Sequence, residues 1–124
     1  MKAPCPCGSG KPLAACCGRW HETMQAPTAE ALMRSRYSAF VLQNEDYLLE
    51  TWHPTTRPES VTLDPATKWL GLTVKGARDS GPGLAEVEFV ARYRVGGGSA
   101  VRLHELSHFV REDGRWFYMD GDQR

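Results

Sequence analysis

The sequence predicts an α+β fold with a small metal-binding knuckle at its N-terminus, and three observations predict it. All four cysteines fall within residues 5–17 of a 124-residue chain. Apolar residues then recur at helical spacing between residues 28 and 50. From residue 68 the apolar period shortens to two, and turn signals separate the strand-length segments. Helices first and a mostly antiparallel sheet afterwards is the α+β order. Hydrophobic residues make up 41% of the chain, enough for one compact core.

The cysteines read Cys5-x-Cys7, eight residues, then Cys16-Cys17. Gly8, Gly10 and Gly18, with Pro4, Pro6 and Pro12, punctuate this stretch, which is too short and turn-rich to build its own core. Zinc wants four soft ligands in a tetrahedron, each sulfur at ~2.3 Å. Two cysteine pairs joined by a glycine-containing loop can wrap one such ion, Gly8 and Gly10 giving the chain freedom to reverse. Ser9 can donate to a thiolate. His21 is a candidate substitute for one cysteine. A two-disulfide staple is disfavoured by the strain of bridging neighbouring cysteines. No C-x-x-C pair beside a βαβ unit marks a redox site, and the spacings are not the common iron–sulfur ones. Gly8-Ser9-Gly10-Lys11 fails as a phosphate loop, because Cys5 replaces its first glycine and Pro12 its Ser or Thr.

Residues 19–27 read as a bridge. Pro27 and Thr28 start a helix with Glu30 in its first turn. Leu32, Met33, Tyr37, Phe40 and Val41 form its apolar stripe, with Arg36 inside the stripe and Arg34 at its edge. Asn44 caps a second, short helix with Tyr47, Leu48 and Leu49, which Trp52-His53-Pro54 ends. Residues 55–67 read as loop, with one helical turn a candidate after Pro58. Strands are expected over 68–78, 84–95, 100–111 and 115–120. In the second, Ala85, Val87, Phe89, Ala91 and Tyr93 share one face, with Glu86, Glu88, Arg92 and Arg94 opposite. Gly96-Gly97-Gly98 and Asp113-Gly114 are turns.

Formal net charge is zero. Nothing in that balance calls for nucleic acid, an anionic membrane or an acidic partner. Lys2, Lys11 and Arg19 precede the first acid, Glu22, a small local excess that reads as solubility or a weak anion contact. No apolar run approaches the ~20 residues of a membrane helix, and Met1-Lys2-Ala3-Pro4-Cys5 has no signal-peptide core. The expected location is cytoplasmic, where thiols stay reduced and clustered cysteines favour metal over disulfide.

Cys-Pro-Cys-Gly-Ser-Gly-Lys followed by Cys-Cys-Gly resembles the SEC-C zinc motif. That motif is named for the C-terminal tail of the translocation ATPase SecA, where it is linked to chaperone and ribosome contacts. Leu32-Met33-Arg34-Ser35-Arg36-Tyr37, Thr51-Trp52-His53-Pro54, Trp69-Leu70-Gly71-Leu72, Phe89-Val90-Ala91-Arg92 and Trp116-Phe117-Tyr118-Met119-Asp120-Gly121 resemble the YchJ family. The resemblance covers nearly the whole chain. It implies residues 1–21 as a SEC-C-like zinc-binding motif with ligands Cys5, Cys7, Cys16 and Cys17. It implies residues 22–124 as a nuclear transport factor 2-like (NTF2-like) domain, a cone of helices packed on a curved sheet. Many longer family members carry a second SEC-C motif at the C-terminus; this sequence stops at Arg124 without one, which leaves a role needing two zinc modules open.

Folds of this kind often enclose a pocket between helix and sheet. Glu105, Ser107 and Phe109 share one strand face, and Trp116, Tyr118 and Asp120 are expected to share one face of the next. Arg36 reaches in from the helix. The functional reading takes Glu105 or Asp120 as base, His53 as acid or orienting group, and Arg36 as electrophilic stabiliser. The structural reading is a buried ion pair of Arg36 with Glu105 or Asp120, with His53 a capping or packing residue. Trp52, Trp69 and Trp116 read as core. Arg102, His104 and His108 read as an exposed face, and His21 as packing on the knuckle. Three roles remain open. The leading one is a zinc module acting through protein or nucleic-acid contacts. The alternative is a small-molecule-binding or hydratase/isomerase-like enzyme. The third is assembly as a homodimer.

Overall fold

The computed structural model describes residues 3–124; Met1 and Lys2, the latter one of the N-terminal cations above, lie outside the described residues. Residues 3–13 form a miniature hairpin. Leu13 N–H donates to Ala3 O at 2.9 Å and Cys5 N–H to Lys11 O at 2.9 Å. A single 3-10 turn, Leu13–Ala15, leads into helix α1, Cys17–Thr23. Thr28 begins α2, Ala29–Val41, its side chain accepting from Ala31 N–H at 3.0 Å. Asn44 begins α3, Glu45–Glu50, accepting from Tyr47 N–H at 3.2 Å. Both caps satisfy donors that a helix start leaves free.

The four strands are β1 (Thr67–Gly81), β2 (Leu84–Val95), β3 (Val101–Glu112) and β4 (Arg115–Gln123), paired antiparallel in sequence order. Asp113 and Gly114 both take positive φ, 52° and 77°, the twist that a two-residue hairpin turn needs. Leu32, Met33 and Tyr37 of α2 and Tyr47 and Leu48 of α3 bury against Val87, Phe89 and Ala91 of β2 and Phe109 of β3. Burying each large apolar side chain stabilises by ~1.5–3 kcal/mol, so this interface fixes the helices on one face of the sheet. Beyond α3, Thr51–His53 runs beside β4: Tyr118 N–H donates to Thr51 O and His53 N–H to Tyr118 O, both at 2.8 Å. That pairing covers part of an otherwise open sheet edge.

Several expectations change. The bridge at 19–27 is helical in its first half, because α1 continues from the second cysteine pair until Met24 turns left-handed at φ 59°. No helical turn comes after Pro58; the turn lies at Pro54–Thr56, and β1 starts at Thr67. Tyr118 and Asp120 do not share a face. Phe109 pairs with Tyr118 but His108 with Asp120, so Met119 is an extra residue in β4 and inverts the facing of the residues after it. Among the described residues, no helix is long and apolar enough to cross a membrane.

Candidate metal centre and cavity

The hairpin, the 3-10 turn and the start of α1 bring four cysteines to one point. Their sulfurs all lie within 4.8 Å of one another, and all four are free thiols. Cys7 Sγ and Cys16 Sγ are 3.7 Å apart. Four sulfurs at ~2.3 Å from one ion stand about 3.8 Å apart along each tetrahedral edge. That pair therefore already has the spacing a tetrahedral metal requires, well beyond the ~2.05 Å of a disulfide bond. The donor set is soft, and Cys5, Cys7 and Cys17 are buried. Four thiols so placed can hold one metal ion.

Backbone conformation makes this convergence possible. Gly8 and Gly10 take φ +81° and +84°, which a side chain would strain, and they turn the chain between the two pairs. At Gly18 the constraint is contact: a Cβ would stand 2.7 Å from the carbonyl oxygen of Leu13. Ser9 Oγ approaches Cys16 Sγ at 3.1 Å and Ser38 Oγ approaches Cys5 Sγ at 3.6 Å. Burial alone would push the Cys5 thiol up. Hydrogen bonds from the backbone of Cys7 and Cys17 and from Ser38 outweigh it and hold that thiol down at about 7. Burial raises the Cys7 and Cys17 thiols, Cys17 most strongly.

The knuckle is docked on α2. Arg34 donates to Cys7 O at 3.1 Å while its Nε binds Glu30 at 2.9 Å. Leu72 of β1 packs on the cysteine cluster. His21 bonds Ser35 O through Nε2 at 2.8 Å and packs on Tyr47 at 4.6 Å between ring centroids, so it ties α1 to α2 and is not part of the thiol cluster. Arg34 and Ser38 were not anticipated as contacts of the knuckle. Their i,i+4 spacing puts them on one face of α2, but only the fold shows what that face meets.

Between α2 and the sheet lies a cavity of about 340 Å³. Arg36, Glu105, Ser107 and Tyr118 all line it, with Trp52 and Trp69 among the aromatic walls. Glu105 accepts from the Ser107 hydroxyl, and its carboxylate occupies the space that a Cβ on Gly121 would need. Burial lowers Arg36 to about 10, still a cation at neutral pH, and pushes the Tyr118 phenol up to about 12, with the negative charge of Glu105 adding to it. The expected ion pair of Arg36 with Glu105 or Asp120 does not form among the described residues. Arg36 stacks on Tyr118 and Trp52 instead, at 4.5 and 5.1 Å from the ring centroids. The remaining two candidates lie apart. The Met119 bulge carries Asp120 to the outer face, opposite His108. His53 bonds Thr55 Oγ1 at 2.7 Å and Glu112 at 3.0 Å, outside the cavity wall. His104 and His108 are half-buried, paired across strands with Glu88 at 2.6 Å and with Asp122 at 3.0 Å.

Fold and site together define a class, an NTF2-like α+β domain with a cysteine metal motif at its N-terminus. Family models match on both counts: the YchJ middle NTF2-like domain over residues 28–121, and the SEC-C motif over residues 1–19. The chain belongs to the YchJ family. It is 58% identical over 119 residues to a UPF0225 protein of Xanthomonas campestris, covering 94% of this chain and 92% of that one. It is 56% identical over 126 residues to a UPF0225 protein of Bordetella parapertussis, covering 98% and 94%. The solution structure of a SEC-C motif containing protein from Rhodopseudomonas palustris superposes with a TM-score of 0.84 at 39% identity, covering 97% of this chain and 98% of that one.

Proposed function

We propose that this protein is a zinc-dependent protein-interaction module. The observation that carries the reading is the approach of four free thiols to within 4.8 Å of one another in a segment with no core of its own. A site with four protein ligands leaves no open position for substrate or water, which suits a structural ion and not a catalytic one. Zinc fits four thiolates in a tetrahedron and does no redox chemistry there. Its role in the module is to fix the hairpin and the start of α1. The chain's own groups then seat that unit on α2 through Arg34, Ser38 and His21. The ordered knuckle leaves Gly8, Ser9, Gly10, Lys11 and Arg19 exposed as a small recognition surface.

A protein partner suits this surface better than nucleic acid. The chain's net charge is zero, and the knuckle's two exposed cations among the described residues, Lys11 and Arg19, give little of the phosphate neutralisation that drives nucleic-acid binding. The cytoplasm is the proposed location, since four reduced thiols persist there. Affinity capture with the zinc-loaded chain and with Cys16→Ser tests the reading. The expected result is partners held by the first and lost by the second, with circular dichroism showing an intact sheet in both. Equal capture by the two proteins, or capture abolished by nuclease, would overturn it.

A further inference from the structure

The cavity beneath α2 has a feature that packing does not explain. Arg36 is a buried cation, only 6% exposed, with no carboxylate partner among the described residues. Only one of its nitrogens is engaged, Nη1, which donates to Leu48 O at 2.8 Å and Thr51 Oγ1 at 2.7 Å. Nε and Nη2 make no hydrogen bond among the described residues, and Arg36 lines the cavity. The indole N–H of Trp52, in the same wall, is also buried without an acceptor. A buried charge without a carboxylate partner is costly. The rings of Trp52 and Tyr118 offset part of that cost, and an anion on the open side of the guanidinium would offset more. Apart from Thr67, Glu105 and Ser107, the rest of the wall is mostly apolar and largely aromatic, with Met33, Tyr37, Phe40, Trp69, Phe89 and Phe109 around it.

We propose that this cavity binds a small organic carboxylate with an aromatic body, its carboxylate seated on the guanidinium of Arg36. The size suits such a molecule, because ligand pockets start at roughly 300 Å³. A guanidinium offers two parallel N–H donors to a carboxylate, and Nε and Nη2 are the pair left free. Glu105 sets the orientation. It is the acidic residue of the lining, and its charge repels a carboxylate placed near it. The acid group therefore goes to Arg36, while a hydroxyl or amine elsewhere on the ligand can donate to Glu105. Gly121 holds Glu105 in place by leaving room for its side chain.

The probe is 4-hydroxyphenylacetate, with its neutral amide as control, titrated into the full metal-loaded chain. Binding is read from the indole N–H resonances of Trp52 and Trp69. Saturable shifts are expected, with the amide at least tenfold weaker. Arg36→Met is expected to remove the preference for the acid over the amide. If that variant does not fold, Ala91→Leu, which fills the cavity from β2, serves instead and is expected to abolish binding of both. No saturable shift with the acid, equal affinity for acid and amide, or undiminished binding in Ala91→Leu would each overturn the proposal.

Discussion

At the scale of single residues, the metal centre depends on positions that carry no ligand atom. Gly18 is the sharpest. An alanine there would favour the helix by ~1 kcal/mol, but its Cβ would meet the backbone oxygen of Leu13, which has no rotamer by which to escape. Overpacking of that kind costs ~1–3 kcal/mol, so the clash wins. Gly18→Ala is expected to weaken metal binding roughly tenfold in a competitive chelator titration, with the β-sheet unchanged. The thiols also set a pH dependence. Cys7 and Cys17 are raised above 9.0 and carry protons at neutral pH, which the metal must displace. Apparent affinity is therefore expected to fall as pH falls, by up to about tenfold per pH unit for each proton released. The fall steepens below about 7, where Cys5 gains its proton as well. A chelator competition series across pH checks it; a flat profile would show that thiolates are not the ligands. The four-cysteine cluster was legible in the sequence because its spacing is local. Asp120 was not, since its face depends on one extra residue, Met119, and nothing in the alternation of β4 announces that bulge.

At the scale of elements, local signals and tertiary context divide the credit. Thr28 and Asn44 were readable as caps, and both side chains bond the amide three residues on. Asn44→Ala is expected to destabilise the fold by ~1 kcal/mol. In a thermal melt of the whole chain that is a drop of roughly 3–5 °C. The helix α1 was not readable. At seven residues it is too short to hold itself, and its first residue, Cys17, has no side-chain cap before it. Its order comes from the cysteine cluster at one end and from His21 on α2 at the other. The strand β2 was legible to the residue, because its inward Ala85, Val87, Phe89 and Ala91 keep a period of two, even though Val90 between them is buried too. The first strand runs to Gly81, three residues past its expected end, through irregularities in its pairing with β2 that break the alternation.

At the scale of the whole molecule, two units meet mainly at α2, with Leu72 of β1 also packed on the cysteine cluster. One face of α2 packs on the sheet; Arg34 and Ser38 reach the knuckle. On the proposed reading the hairpin and α1 depend on the metal and the large core does not. Removing the ion with a strong chelator is expected to release residues 3–24 to rapid amide hydrogen exchange. Protection in β2 and β3 should stay within about tenfold of its metal-loaded value, the span of ~1.4 kcal/mol. Fold class was legible from the order of periodicities, but the arrangement of the cavity was not. Arg36 was placed correctly on the inward stripe, yet its expected ion pair is replaced by stacking on Trp52 and Tyr118. Contacts between side chains so far apart in the chain are set by the packed geometry and not by any local pattern.

The central claim is that four thiolates share one zinc ion. Native mass spectrometry of the intact chain, purified without added metal, tests it most directly. The expected result is one zinc per chain, lost in Cys7→Ser and in Cys17→Ser. A chain that carries no zinc, or one lighter by the hydrogens that disulfide formation removes, would contradict it.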